Sequence, residues 1–97
     1  MAVNGIGVAG TMESSDISIT IEKSDDEKVE IKLSSVVKEQ YGEHIEALIH
    51  ETLKELSVSG VKVRAIDRGA LDCTIKARVQ AAAYRALGLK SFNWEAL

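Results

Sequence analysis

The 97-residue chain contains no proline, a single cysteine and only four aromatic residues, and it carries no excess of positive charge. Each shortage excludes something. With Cys73 alone no internal disulfide can form, and such cysteine usage fits a reducing compartment. Twelve Lys and Arg stand against fifteen Asp and Glu, for a net charge of −3. The basic residues form no stripe, which argues against nucleic acid, since phosphate binding needs a basic face. No apolar run approaches the roughly 20 residues that span a bilayer. The opening stretch "MAVNGIGVAG" lacks the basic start and long apolar segment of a secretion signal. The expectation is a cytoplasmic protein with neither membrane nor nucleic acid as a partner.

Apolar residues make up 45% of the chain and charged residues 28%, a balance that suits one ordinary globular domain rather than a disordered segment. A chain of this length buries roughly 60–65% of its unfolded surface, enough for one core but not for a large enclosed site. The expectation is a single domain over residues 1–97, with residues 1–8 flexible. A short strand is predicted from about Val8 to Met12, followed by a turn at Glu13-Ser14-Ser15-Asp16. Ile17, Ile19 and Ile21 then alternate with polar residues, as do Val29, Ile31 and Leu33, so these two stretches read as a hairpin joined by the charged link at residues 24–28.

From Val36 to Leu56 the period changes. Tyr41, Ile45, Leu48, Ile49, Thr52, Leu53 and Leu56 recur at helical spacing, while Glu39, Glu43, Glu46, Glu51, Lys54 and Glu55 lie mostly off that face. Ser34 or Ser35 is placed to cap this helix, and Ser59-Gly60 to end the segment. Val61, Val63 and Ala65 alternate again. Asp67-Arg68-Gly69 suits a tight loop, and two readings compete after it. Leu71, Cys73 and Ile75 fit a strand over residues 70–76, whereas Leu71, Ile75, Val79 and Ala82 fit a helix starting at Leu71. The loop and the β-branched Thr74-Ile75 favour the strand. Residues 77–87 are Ala-rich and helical, with Gly88 as the stop. Phe92 and Trp94 in the tail are expected to dock, on the domain or on a partner. The resulting order is β-β-β-α-β-β-α, an α+β domain whose antiparallel sheet of hairpins is covered on one face by two helices.

The catalytic inventory is thin. His44 and His50 stand six apart on a helix, on opposite sides of it, so they cannot share a metal and read as solvent-facing. On a strand, Cys73 would turn inward with Leu71 and Ile75, as a buried structural thiol. "GIGVAG" has no preceding strand and no phosphate-loop Lys. No Ser-His-Asp set and no metal site can be argued from spacing, and an independent enzyme is not expected. What remains is the serine pair. At a turn tip Ser14 and Ser15 read first as turn residues, but a tip hydroxyl is also open to another enzyme.

Three segments change the weight of that second reading. "AGTMESSD" (residues 9–16), "SSVVKEQYGEHI" (residues 34–45) and "DRGALDCTIKARVQAA" (residues 67–82), with the closing "NWE", closely resemble the acyl carrier proteins of citrate lyase, the gamma subunits of that complex. The resemblance runs end to end, and the combination of segments is specific. It implies that the Ser14 hydroxyl carries a covalent 2'-(5''-phosphoribosyl)-3'-dephospho-CoA through a phosphodiester, making the chain a phosphoprotein of citrate fermentation. It also implies that Ser15 occupies a variable position. A separate prosthetic-group transferase, the holo-carrier synthase, would attach the group. The alpha subunit (acyl transferase) would exchange acetyl for citrate on its thiol. The beta subunit (citryl lyase) would release oxaloacetate, with Mg²⁺ as its usual partner ion. The carrier would supply a tether and a high local concentration, the reactive sulfur belonging to the cofactor. The alternatives are a malonate decarboxylase-type carrier, which uses the same kind of group, and a non-catalytic interaction domain whose serines only form a turn.

Overall fold

The computed structural model describes residues 5–25 and 27–88, and of Lys38 the backbone alone. The expected docking of Phe92 and Trp94 lies outside the described residues. The elements run β1 (Gly7–Ala9), β2 (Ile17–Lys23), β3 (Glu30–Ser35), α1 (Lys38–Glu55), β4 (Val61–Asp67) and α2 (Asp72–Ala86).

Alternation sets the buried face. In β2 the inward residues Ile17, Ile19 and Ile21 are fully buried, and in β4 so are Val61, Val63, Ala65 and Asp67. Register holds these rows on one side of the sheet, with Ile17 opposite Asp67, Ile19 opposite Ala65 and Ile21 opposite Val63. Ile45, Ile49, Thr52 and Leu53 of α1 and Ile75, Val79, Ala82, Ala83 and Ala86 of α2 close over that face. The domain is α+β, with a four-stranded sheet covered on one face by two helices.

The sheet order is β1-β2-β4-β3. The expected hairpin of the second and third strands is therefore not formed: β4 lies between them, antiparallel to β2 and parallel to β3. The charged link does not turn tightly. Its two ends grip the chain entering β4, Ser24 N–H donating to the Gly60 carbonyl at 2.8 Å and Gly60 N–H to the Glu27 carbonyl at 3.1 Å. β3 and β4 run the same way because α1 carries the chain back between them, and parallel strands require such a crossover.

The second correction falls on residues 70–76, where the competing helical reading is the right one. The tight loop does not lead into a strand. Gly69 takes φ +90, and the buried Asp67 carboxylate accepts from the Ala70 N–H at 3.0 Å. That turns the chain off the sheet, and α2 starts at Asp72. Cys73 is consequently exposed, not buried. The stop at Gly88 is present, with φ +79. Tyr41, placed on the apolar stripe, is 54% exposed, because the stripe reaches the core only from Ile45 onward. Among the described residues no helix is long and apolar enough to cross a membrane.

Candidate attachment site

The serine pair forms a tight turn between β1 and β2. Asp16 N–H donates to the Glu13 carbonyl at 3.2 Å. Ser15, third in the turn, has φ +65, the sign a type II turn requires at that position. Glu13, Ser14 and Ser15 are all exposed. The turn is nevertheless anchored to the body. Ser15 N–H donates to the Arg68 carbonyl at 2.8 Å, and Arg68 N–H donates to the Asp16 carbonyl at 2.9 Å. These bonds extend the β2–β4 ladder past Ile17 and Asp67, up to the tip.

Asp16 carries most of the remaining load. Unlike that of Glu13, its side chain turns inward and is only 13% exposed. Its carboxylate accepts from the Thr11 hydroxyl at 2.7 Å and the Thr11 N–H at 3.1 Å. It also accepts from the Ile17 N–H at 2.7 Å and from Arg78 Nε at 3.0 Å and Nη2 at 3.3 Å. The Thr11 hydroxyl bond, followed by the Arg78 guanidinium, draws its pKa from the ordinary 3.8 down to about 2. The pairing of Asp16 with Arg78 was invisible in sequence, since 62 residues separate the two and no local pattern links them. Gly10 completes the approach: it sits at φ +90, and a Cβ there would lie 1.8 Å from the Ile17 carbonyl oxygen. The hydroxyl of Ser14 thus stands on a rigid base while having no hydrogen-bond partner among the described residues.

The other candidates do not assemble with it. His44 and His50 are both exposed on α1. His44 Nε2 lies 2.9 Å from both carboxylate oxygens of Asp72, tying α1 to the first turn of α2, and His50 lines a different surface hollow. Cys73 has no thiol partner and no metal group around it; no His, Cys, Asp or Glu cluster among the described residues could hold a metal ion. Asp67 is the functional-looking residue that sequence reading passed over. It is 1% exposed, accepts from the Ser35 hydroxyl at 2.8 Å and from Ala70, and so locks the start of both helices to the end of β4. Ser35 in turn accepts from the Val37 N–H at 3.1 Å, but Val37 itself is the N-cap of α1 and no side chain caps that helix, so the cap expected of Ser34 or Ser35 is not formed.

Fold and site together define a small α+β domain that offers an exposed, firmly based hydroxyl turn. Known proteins agree with that class. A family model described as malonate decarboxylase delta subunit (MdcD), an acyl carrier family, matches residues 5–86. The citrate lyase acyl carrier proteins of Streptococcus pyogenes serotype M5 (strain Manfredo) and serotype M49 (strain NZ131) are each 47% identical over 95 residues, covering 98% of this chain and 93% of theirs. A chain of a Pseudomonas malonate decarboxylase hetero-tetramer, crystallised with malonate, matches with a TM-score of 0.74 over 84% of both chains. At 16% identity that last likeness speaks to the fold alone. The chain belongs to the citrate lyase acyl carrier protein family.

Proposed function

We infer that this chain is the acyl carrier subunit of a citrate lyase and that the Ser14 hydroxyl is where the phosphoribosyl-dephospho-CoA group is joined. The carrying observation is the state of that hydroxyl. It is exposed at the turn apex, unpaired among the described residues, and held on backbone fixed by Arg68 and Asp16. A phosphodiester there meets no covering atom, so the residues present fit the group. When bound, the group supplies a reactive thiol at the end of a long tether.

The chain's own residues do the rest by positioning. Ser14 provides the oxygen that becomes the ester link. Asp16 does not act as its base, because the carboxylate is already committed to Thr11, Ile17 and Arg78 and its low pKa makes it a poor proton acceptor. The base that takes the Ser14 proton therefore belongs to the attaching enzyme. Partners follow from the same reading: that transferase, then the acyl transferase and citryl lyase subunits of the complex, all in the cytoplasm. A second reading, as a malonate decarboxylase carrier, is favoured by the family model. It uses the same hydroxyl.

Intact mass of the protein from a host making the attaching enzymes tests the proposal. The expected result is one added phosphoribosyl-dephospho-CoA, lost in Ser14→Ala and kept in Ser15→Ala. An unchanged mass from such a host would overturn it. Reconstitution with the partner subunits of each complex then separates citrate cleavage from malonate decarboxylation.

A further inference from the structure

Beside the attachment turn lies an open cavity of about 550 Å³, between the first half of α1 and the entry to α2. Its walls include Tyr41, Ile45, Leu71 and Ile75, with Cys73 among the lining residues. Two of these side chains are unusually open for their size, Tyr41 at 54% and Leu71 at 69% exposed. A hollow of this volume, mostly apolar with a few fixed polar groups, has the make-up of a small-molecule site. Gly69 and Ala70 form its near wall. They follow directly on Arg68, whose carbonyl accepts from Ser15, so the cavity and the attachment turn share one loop.

Charge selects among the parts of a tethered group. The charged residues in the lining are Asp67, Asp72 and His44, and His44 is bound to Asp72. No Lys or Arg is among them, so phosphate and carboxylate groups are repelled. A neutral stretch is not. The Asp67 carboxylate takes two donors, Ser35 and Ala70. At 1% exposed it is closed to a further donor, and the exposed Asp72 carboxylate beside His44 is the acceptor open to an amide N–H.

Resting on the carrier reading, we propose that this cavity is the berth of the carrier's own arm: the neutral, amide-bearing pantetheine stretch lies in it between visits to partner active sites, with the thiol end beside Cys73. The arm leaves the cavity when a partner subunit binds, and while in place it shields its thiol end from water.

Cys73 reports on this directly, because it is the chain's single cysteine and is exposed. The full chain is prepared loaded, with the arm's thiol acetylated so that Cys73 is the one free thiol, and alkylated with iodoacetamide alongside unloaded protein. An arm that occupies the cavity nine-tenths of the time slows alkylation roughly tenfold, about 1.4 kcal/mol of docking. Leu71→Asp, a change at an open side chain, returns the loaded protein to the unloaded rate. Equal rates in loaded and unloaded wild-type protein overturn the berth while mass still confirms the carrier. Slowing that survives Leu71→Asp also overturns it, by placing the protection elsewhere. Failure to load at Ser14 at all removes the carrier reading and the berth with it.

Discussion

At the scale of single residues the site depends on Asp16 more than on either serine. Its folded pKa lies near 2, below the ordinary 3.8. A carboxyl shifted down stabilises the fold fully above about pH 4, and that contribution fades as pH falls through 2. The expected titration of the Asp16 carboxyl, followed by carbon NMR, has its midpoint near 2. In Arg78→Gln the midpoint rises toward 3.8 but stops short of it, since the Thr11 bonds persist. A midpoint at the ordinary value in wild-type protein would show that the inward turn of this carboxylate is wrong. Ser15 has a different task. Its φ of +65 suits Gly better than Ser. Ser15→Gly is expected to leave stability unchanged or raise it by up to about 1 kcal/mol, relief of the left-handed backbone being offset by unfolded-state entropy. Loading at Ser14 should persist. Loss of loading in that variant, with folding intact by circular dichroism, would mean the wrong serine has been chosen.

At the scale of elements, the close fit of β1 on α2 is the tightest constraint. Gly7 lies so near the helix that a Cβ would come within 1.9 Å of the Ala82 carbonyl oxygen and 2.5 Å of the Ala86 nitrogen. Both obstacles are backbone, so neither can swing away. Gly7→Ala is expected to cost at least about 2 kcal/mol, from overpacking that forces strand and helix apart, read as a lower denaturant midpoint in urea unfolding. An unchanged midpoint would mean that β1 does not lie on α2. The run of Ala82, Ala83 and Ala86 has the same cause, since small side chains admit the strand. Period alone revealed β2, β4 and α1, because Ile17 to Ile21, Val61 to Ala65 and Ile45 to Leu53 each bury one regular face. It failed at residues 70–76, where alternation and helical spacing coincide on Leu71 and Ile75. What decides there is a buried carboxylate, Asp67, bonded to Ala70, and sequence pattern holds no sign of that burial. The pairing of β4 between β2 and β3 was hidden for a related reason: strand neighbours are chosen by long-range burial, and two amphipathic strands joined by a polar link fit a hairpin equally well. The serine turn was legible because Glu13 to Asp16 is local chemistry, and the proposal of Ser14 as attachment point came from resemblance. The Asp16–Arg78 base beneath it is long-range and was not legible.

At the scale of the whole molecule, the serine turn and the charged sheet face lie on different surfaces. The attachment turn, the cavity and the exposed Tyr41 and Leu71 gather where β2 begins, β4 ends and both helices start. The sheet face away from the helices is instead mostly polar, with Val8 and Ile66 as its exposed large apolar side chains among the described residues. Register sets Glu22 and Glu30 on either side of Lys62, with Arg64 and Lys32 one step along. A central cation between two carboxylates is favourable across neighbouring strands, and a third carboxylate in its place is not. Lys62→Glu is therefore expected to destabilise the domain by about 1 kcal/mol at low ionic strength, with the loss shrinking as salt screens the exposed charges. Lys62 stands five residues before Asp67 in β4, roughly 17 Å along the strand from the turn's anchor. Loading of Ser14 should accordingly be unaffected, by intact mass, in the same variant. A stability loss indifferent to salt would show that these three side chains are not adjacent and would count against β4 as the central strand. A loading defect would mean that the attaching enzyme grips the open sheet face as well as the loop end, so that the two surfaces are not separate after all.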